Sequence, residues 1–307
     1  MLAIVAPGQG SQSVGMLSAW LEDPKSRQSI AEWSERSSLD LATLGVSASA
    51  DEITNTAIAQ PLIVSAGLLS AAALGPVAVA VYAGHSVGEI TAASLAGVLS
   101  HNDAMRLVTE RGKAMAEAAS ADTGMSAVLG GDRDEVVKAI ADAHLVAANE
   151  NGAGQIVAAG LLSALAQLSE NPPTGARVRP LAVAGAFHTS FMAPARTQIE
   201  KLAPEFAAKD PLSTLLSNFD GRAVASGDEA LSRIVQQIAH PVRWDLCMAT
   251  LAEMGVTGVI ELAPGGTLTG LMKRAVPNIE SFAIKNPTDI PAAQEFAAKH
   301  ADSVVAK

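Results

Sequence analysis

A serine lies between two glycines in the segment Gly84–Gly88, where an alternating apolar run gives way to a helix-like pattern. A Gly-x-Ser-x-Gly turn between a strand and a helix is the nucleophile elbow, which exposes the serine hydroxyl above the sheet. Backbone N–H groups at the start of the following helix can stabilise a developing oxyanion. The alternative is a helix-start serine in an ordinary glycine turn. The flanking pattern favours Ser86 as a catalytic nucleophile.

A serine nucleophile needs a general base, and the chain has six histidines. His188 follows an apolar strand-like segment and precedes a helix, and loops at strand ends are where α/β sheets assemble their sites. His300 is the alternative, near the C-terminal end as in hydrolases, on a helix that we expect at the surface. His85 adjoins the serine but should point away from it. His188 is the favoured base, and His300 stays open.

Arg111 lies on the apolar face of a helix predicted over 104–118, whose other charged residues fall on the opposite face. A guanidinium directed inward must find an anion. That anion is either a structural carboxylate partner or the carboxylate of a substrate, which a guanidinium can hold by two parallel hydrogen bonds. A third possibility is a long side chain that reaches the edge of the core. The pattern alone leaves the three open.

A glycine-rich loop, Pro7–Gln12, follows the first predicted strand. A dinucleotide fingerprint would require a third glycine where Ser13 stands, and the expected acidic residue after a following strand is missing. A glycine loop at a strand end can instead supply an N–H group to an oxyanion. We therefore do not expect nucleotide binding here.

Composition narrows the class of protein. The 307 residues are 49% hydrophobic and only 3% aromatic, and the net charge is −10. This favours an α/β core of small aliphatic residues and argues against a nucleic-acid-binding protein. The single cysteine, Cys247, excludes an internal disulfide and fits a reducing compartment. No metal-ligand spacing is present, so we expect neither a metal nor another cofactor.

We expect no targeting or membrane-spanning segment. The N-terminus lacks the basic region of a signal peptide. The apolar stretch 61–84 is long enough to cross a membrane, but Gly75-Pro76 interrupts it and its second half alternates. A buried helix followed by a buried strand is the favoured interpretation. The sequence therefore predicts a cytoplasmic protein that binds no membrane.

The elements that must position these residues follow an α/β order. Before the elbow we predict a strand from residue 2, a helix over 56–74 and a strand over 77–83; after it come strands over 213–219 and 256–262, with helices between. Residues 125–185 have the order β-α-β-β-α-β, which is ferredoxin-like. We predict an α/β-hydrolase-like core, residues 1–123 and 187–307, with an inserted ferredoxin-like (βαββαβ) small subdomain, residues 124–186.

Eight segments, in this order, span almost the whole chain and together resemble the malonyl-CoA:acyl carrier protein transacylase family. One five-residue motif has little specificity, whereas eight in order are highly specific. The segments are PGQGSQ, AQPLI, GHSVGE, RLVTERGKAM, NENGAGQIVAAG, AFHTS, HPVRW and ELAPGGTLTGLMKR.

The resemblance implies a role for each residue already considered. Ser86 resembles the family's nucleophile and His188 its base. Arg111 resembles the clamp for the malonyl carboxylate. The backbone N–H groups of Gln9 and Val87 resemble the oxyanion hole.

Further roles come from the resemblance alone. In this family a main-chain carbonyl, rather than a third acid, orients the histidine, and the matching position is Gln237. Phe187 matches the residue that crowds an α-methyl group, so it favours malonyl over methylmalonyl substrates. Gln60 and Asn151 match other positions near the family's pocket.

The implied activity is ping-pong transfer of malonyl from malonyl-CoA to acyl carrier protein through a malonyl-serine, in fatty acid or polyketide biosynthesis. The alternatives are a serine esterase or thioesterase of α/β-hydrolase type, which would use His300, and a catalytically idle module that binds carrier protein. Because carrier proteins are usually acidic, docking requires a local basic patch. The candidates for that patch are Arg177, Arg179, Lys273 and Arg274.

Overall fold

The computed structural model describes residues 1–183 and 185–301. Strands and helices alternate along most of the chain. The strands are β1 (Leu2–Ala6), β2 (Val81–Gly84), β3 (Thr123–Gly130), β4 (Val146–Glu150), β5 (Gln155–Leu161), β6 (Ala176–Pro180), β7 (Thr214–Leu215), β8 (Val242–Arg243), β9 (Gly258–Glu261) and β10 (Glu280–Ala283). The helices are α1 (Pro24–Ser37), α2 (Leu41–Ser47), α3 (Thr56–Leu74), α4 (Gly88–Leu95), α5 (His101–Ala118), α6 (Arg133–Asp142), α7 (Leu162–Glu170), α8 (Ala193–Leu202), α9 (Gly227–Gln237), α10 (Trp244–Glu253), α11 (Thr267–Ala275) and α12 (Ile290–Ala301).

The first sheet is parallel, with the strand order β10-β9-β1-β2-β7. Its central strand β1 is fully buried and apolar. Leu2 and Ile4 pack into one hydrophobic cluster, whereas Ala3 and Val5 pack into another. Successive side chains of a strand point to opposite faces, so the sheet is covered by helices on both faces, as parallel sheets usually are.

The second sheet has the order β6-β3-β5-β4-β8. The pairs among β3, β4, β5 and β6 are antiparallel, and β4 pairs with β8 in parallel. The elements β3-α6-β4-β5-α7-β6 are consecutive in the chain, as the sequence predicted. The fifth strand comes from the segment between α9 and α10, so it joins this sheet to the rest of the molecule.

Helix α3 is long and apolar enough to cross a membrane, but 72% of its apolar window is buried inside the protein. It starts at the cap residue Asn55, whose side chain accepts a hydrogen bond from the N–H of Ala57. The helix packs closely against α5. The structure agrees with the interpretation of this stretch as a buried core helix, and α3 and α5 together form one wall behind the elbow.

Some predicted strands are shorter than expected, and three elements were not predicted. The strand expected over 77–83 is β2, which begins only at Val81, and the strand expected over 213–219 is reduced to β7. Strand β7 ends early because Asn218 bonds the elbow instead of continuing the strand ladder. Helix α9 and strands β8 and β10 were missed.

Candidate active site

The turn at Ser86 joins β2 to α4 with little room to spare. A Cβ atom on Gly84 would lie 2.1 Å from the carbonyl oxygen of Gly88, and one on Gly88 would lie 2.2 Å from that of Ala6. Ser86 itself has a φ of 52°, in the left-handed region that few non-glycine residues adopt. The two glycines therefore let the chain turn sharply enough to present the serine at the sheet edge.

Asn218 fixes this turn from the neighbouring strand segment. Its Oδ1 accepts a hydrogen bond from the N–H of Ser86 at 2.8 Å, and its Nδ2 donates to the carbonyl oxygen of Gly84 at 2.7 Å. Both atoms of one amide are thus satisfied by the elbow backbone. This offsets part of the cost of the left-handed conformation at Ser86, which is about 1–3 kcal/mol.

The imidazole of His188 contacts the serine directly. Its Nε2 lies 2.7 Å from Ser86 Oγ, and its Nδ1 lies 2.7 Å from the main-chain oxygen of Gln237. A carbonyl oxygen can only accept, so Nδ1 carries the proton and Nε2 is free to accept one from the hydroxyl. The pair has the geometry of a nucleophile with its general base, and a backbone carbonyl occupies the place of a third acidic side chain.

Burial is the main reason that the pKa of His188 is lowered to about 3, and the positive charge of Arg111 adds to it. The imidazole is 3% exposed. It is therefore neutral near pH 7, which is the protonation state that a general base must have.

Arg111 is completely buried on α5, as its place on the apolar face predicted. Its Nη1 donates to Gln60 Oε1 at 2.7 Å, and its Nη2 donates to Gln237 Oε1 at 2.9 Å and lies 3.5 Å from Ser86 Oγ. All three partners are neutral, and Nε finds no partner among the described residues. Two of the predicted alternatives therefore do not hold. The Arg111 side chain does not reach the surface, and among the described residues its guanidinium has no carboxylate within hydrogen-bond distance.

Burial lowers the pKa of Arg111 to about 10, and the nearby carboxylate of Glu89 opposes that shift. The guanidinium thus keeps its charge at neutral pH. A buried cation with only neutral direct partners is a place for an anion.

The proposed oxyanion donors, the N–H groups of Gln9 and Val87, donate to no protein acceptor in residues 1–183 and 185–301. The glycine loop that carries Gln9 is pressed onto the elbow, because a Cβ on Gly8 would lie 2.6 Å from the carbonyl oxygen of His85. Unpaired backbone donors, one next to the serine in sequence and one on a loop packed against the elbow, are the kind of groups that an oxyanion hole requires.

A cavity of about 660 Å³ opens above the serine. Residues that the sequence singled out form much of its wall, namely Gln9, Gln60, Ser86, Asn151, Phe187, His188 and Arg274. Val87, Arg111 and Gln237 lie behind that wall. The exposed Arg177 and Arg179 belong to β6, and Lys273 belongs to α11.

Two other histidines have partners of their own. The Nε2 of His85 lies 2.8 Å from Asn151 Oδ1, so its ring is directed to Asn151, as expected. The prediction that His300 lies at the surface is wrong: the residue is 4% exposed. Its ring packs on Phe296 and lies 3.0 Å from Thr257 Oγ1, and neither residue lines the cavity. The imidazole at the serine belongs to His188, not to His300.

Sequence reasoning missed Glu89 and Asn218, both of which are buried beside the elbow. A signal was available for the first. Glu89 is the only Asp, Glu, Lys or Arg between Glu52 and Asp103. Burying a carboxylate costs free energy unless it is hydrogen-bonded or paired. A single carboxylate in a segment of fifty otherwise uncharged residues therefore indicates a specific role. Asn218 carries no comparable signal.

A serine hydrogen-bonded to a histidine at a strand–helix turn of a parallel α/β sheet defines the class of serine-dependent acyl-transferring enzymes. Beyond the class, the chain belongs to the acyl transferase domain family, whose model matches residues 4–298. The resemblance predicted from the eight segments is therefore confirmed.

Individual relatives agree in sequence and structure. A malonyl CoA-acyl carrier protein transacylase of Mycobacterium tuberculosis is 52% identical over 296 residues, covering 94% of this chain and 98% of that protein. The crystal structure of MCAT from the same organism superposes with a TM-score of 0.92, at 51% identity, over 96% of this chain and 99% of that one. A holo type II PKS acyl-carrier protein has been solved in complex with its malonyl-transacylase, and that structure gives a TM-score of 0.91, at 31% identity, over 96% of this chain and 99% of that one.

Proposed function

We propose that this protein is a malonyl-CoA:acyl carrier protein S-malonyltransferase, which moves the malonyl group from malonyl-CoA to the phosphopantetheine thiol of acyl carrier protein. The observation that carries the assignment is the buried Arg111, 3.5 Å from Ser86 Oγ and hydrogen-bonded only to neutral groups. A substrate with a carboxylate beside its thioester supplies the missing anion. The names of the relatives give the same activity.

The proposal includes an architecture. The described residues within 1–123 and 187–307 form an α/β-hydrolase-like core around the parallel sheet, and those within 124–186 form an inserted ferredoxin-like subdomain; residues 184 and 302–307 of these predicted parts lie outside the described residues. The strand order β6-β3-β5-β4 supports this, because numbered within the insert it is 4-1-3-2, with two helices packed on the sheet. The cavity lies between these two parts, since its wall includes Ser86 from one and Asn151 from the other.

In the first half-reaction Ser86 Oγ attacks the thioester carbonyl of malonyl-CoA, and His188 Nε2 takes the hydroxyl proton. The C–S bond breaks, and the coenzyme A thiolate leaves with that proton. The 2.7 Å contact and the neutral imidazole support this assignment. The main-chain oxygen of Gln237 holds the ring through Nδ1 and stabilises the imidazolium that forms.

The tetrahedral intermediate places a negative charge on the former carbonyl oxygen. We assign its stabilisation to the N–H groups of Gln9 and Val87. Both are unpaired among the described residues, and both are backbone groups held in place before the substrate binds. Donors that need no reorganisation are the effective ones, and losing one costs about 3–4 kcal/mol.

Arg111 retains the malonyl group after coenzyme A leaves, because the malonyl carboxylate replaces a neutral acceptor such as Gln60 Oε1 at the guanidinium. An acetyl group offers no such acceptor. The carboxylate also offsets the charge that lowers the pKa of His188, so the anionic substrate makes its own base stronger.

Phe187 and Asn151 are proposed to shape the acyl and thioester end of the pocket. Phe187 precedes the base and lines the cavity, where its ring would crowd an α-methyl group. One methyl group is worth only about 1–3 kcal/mol of discrimination, so methylmalonyl transfer is slowed rather than abolished.

In the second half-reaction the carrier-protein thiol attacks malonyl-Ser86, His188 takes the thiol proton, and the serine leaves with it. Arg274 lies at the cavity wall and Arg177, Arg179 and Lys273 are exposed, which supports a basic docking patch for an acidic partner. The structure solved with a carrier protein shows that a transacylase of this fold forms such a complex. The reaction supplies malonyl units to fatty acid or polyketide synthesis, and we place it in the cytoplasm.

The alternatives have less support. A hydrolase with His300 as its base conflicts with the partners of that ring. A catalytically idle binding module would not need the Ser86–His188 contact.

The test is mass spectrometry of the protein after mixing with malonyl-, methylmalonyl- or acetyl-CoA. We expect a malonyl adduct on Ser86 that disappears when holo acyl carrier protein is added, a smaller methylmalonyl adduct, and little acetyl adduct. Hydrolysis of the adduct to free malonate, with no transfer to the carrier protein, would favour the esterase instead.

A further inference from the structure

The mechanism above leaves one buried carboxylate unused. Glu89 lies in the first turn of α4, three residues after the nucleophile, and is 3% exposed. It is the only charged side chain in residues 53–102. Burial raises the pKa of Glu89 to about 7, although hydrogen bonds and the charge of Arg111 oppose the shift. A group that costs this much to bury needs a reason to be there.

Both carboxylate oxygens of Glu89 accept hydrogen bonds from the site. Oε1 accepts from the backbone N–H of Asn218 at 2.8 Å. Oε2 accepts from Nε2 of Gln237. Neither bond is to solvent, and neither partner is charged.

The amide of Gln237 is surrounded so that only one orientation is favourable. Its Nε2 faces three acceptors, which are Glu89 Oε2, the carbonyl oxygen of Ser86 at 3.2 Å and Oδ1 of Asn218 at 3.1 Å. Its Oε1 consequently faces Nη2 of Arg111 at 2.9 Å. Turning the amide over would set an NH₂ group against the guanidinium.

The same residue also holds the base, because its main-chain oxygen accepts from Nδ1 of His188. Gln237 therefore touches the clamp through its side chain and the imidazole through its backbone. A contact that fixes the position of Gln237 therefore also fixes the Arg111 guanidinium and the His188 imidazole relative to Ser86.

We propose that Glu89 is a positioning residue for malonyl transfer: through the amide of Gln237 it sets the places of the Arg111 guanidinium and the His188 imidazole, and its negative charge balances the guanidinium until the substrate carboxylate arrives. The inference rests on the proposed function. It assigns Glu89 no contact with the substrate. It explains how a buried cation is tolerated in the empty site without a direct anionic partner that would compete with malonyl.

Glu89→Gln is the informative substitution because the side chain keeps its size. One of its two ends must then present an NH₂ group, either to Nε2 of Gln237 or to the N–H of Asn218. In the first case the amide of Gln237 loses the acceptor that orients it; in the second the backbone of Asn218, whose Oδ1 also faces that amide, loses its contact. Both cases remove the negative charge that balances the guanidinium. Glu150→Gln is the matched control, since Glu150 is also a buried carboxylate but pairs with Arg133 and Arg243 instead.

The measurement is the single-turnover rate of Ser86 malonylation, with malonyl-N-acetylcysteamine as a probe that carries no phosphate. We expect Glu89→Gln to lower this rate at least tenfold, and Glu150→Gln to leave it within about twofold. Gln237→Met keeps the main-chain carbonyl and should lower the rate similarly. Adding Glu89→Gln to Gln237→Met should cost little more, because both changes break one chain of contacts.

A pH profile separates positioning from a purely structural role. Besides Arg111 on α5, the titratable group that interacts with Glu89 is Cys247 on α10. The wild-type malonylation rate should fall as pH is lowered through about 7, and Glu89→Gln should lack that step. A general packing defect would instead lower the rate equally at every pH.

Three results would overturn the proposal: a wild-type rate in Glu89→Gln, additive effects in the double variant, or a wild-type rate in Gln237→Met. The last holds even if Glu89→Gln fails to fold. Failure of the proposed function is distinct, because the wild-type protein would then form no malonyl-Ser86 at all.

Discussion

Ser86 and His188 meet at 2.7 Å from two backbone positions that share an unusual conformation, with φ values of 52° and 61°. Each costs about 1–3 kcal/mol for a residue with a side chain. Such a conformation persists only where neighbouring groups hold it in place. At the serine the holding contact is the hydrogen bond to Asn218, and at the histidine it is the hydrogen bond to the main-chain oxygen of Gln237.

Ser86→Ala should abolish covalent malonylation, because Ser86 provides the one hydroxyl that contacts His188 Nε2 in the described part of the chain. Intact-protein mass spectrometry after mixing with malonyl-CoA measures this. Ser65→Ala, at a buried serine on α3 that contacts Met105, is the control and should retain the adduct. A malonyl adduct of unchanged yield on Ser86→Ala would place the nucleophile elsewhere.

Arg111→Ala should reduce kcat/KM for malonyl-CoA by roughly a hundredfold or more, since a charged hydrogen-bonded contact is worth about 3 kcal/mol. The rate with acetyl-CoA should change much less, so the preference for malonyl narrows. Arg106→Ala is the control on the same helix, where the exposed guanidinium pairs with Glu205. A preserved malonyl preference would remove the clamp from the mechanism.

Gly88→Ala should destabilise the fold by about 3 kcal/mol or more, because the new Cβ would lie 2.2 Å from the carbonyl oxygen of Ala6. Gly270→Ala on α11 has open space around its Cβ and should gain about 0.5–1 kcal/mol from helix propensity. Denaturant unfolding compares the two. Equal stabilities would show that the elbow relaxes more easily than its packing suggests.

Acid should destabilise the wild type more than His188→Asn. The pKa of His188 is lowered from 6.5 to about 3, so the unfolded chain binds a proton below pH 6.5 that the folded protein refuses until about pH 3. Stability is therefore lost as pH falls through that window, by roughly 2 kcal/mol at pH 5.

Asparagine tolerates the left-handed backbone and does not titrate, so the variant lacks this loss. Glu89, with its raised pKa, contributes the opposite slope in both proteins and cancels in the difference. The control is His144→Asn, at an exposed histidine with a φ of 57°. Parallel stability curves for wild type and His188→Asn between pH 7 and 5 would contradict the lowered pKa.

Charge reversal of Arg177 and Arg179 together should raise KM for holo acyl carrier protein several-fold and leave KM for malonyl-CoA unchanged. Both side chains are exposed on β6, so the fold should tolerate the change. The double reversal Lys25→Glu and Arg36→Glu, at two exposed residues of α1, is the control for net charge alone. An unchanged carrier-protein KM would exclude β6 from the docking patch.

Local patterns predicted the features that depend on local rules. The elbow follows from two glycines around a serine, and the burial of Arg111 follows from helical periodicity. The start of α5 also follows a local rule, because the Ser100 hydroxyl oxygen accepts a hydrogen bond from the N–H of Asp103. The same hydroxyl donates to the Asp103 carboxylate.

Other features depend on contacts between distant segments. His300 is buried because Gly258 on β9 leaves room for its ring, and a Cβ there would lie 2.3 Å from it. No residue pattern within α12 predicts the contact between His300 and Gly258. Likewise β7 ends early because Asn218, 132 positions after Ser86, is recruited to the elbow. Family resemblance supplied the orienting role of Gln237, which no local pattern encodes.

The volume of the cavity has a consequence for the order of events. About 660 Å³ is the size of a single small-molecule site, and the serine lies at its floor. The thioester donor and the thiol acceptor must each reach the same serine hydroxyl in this single cavity, so they take turns there. The malonyl group is then held as an ester on Ser86 after coenzyme A has left and before the carrier-protein thiol binds.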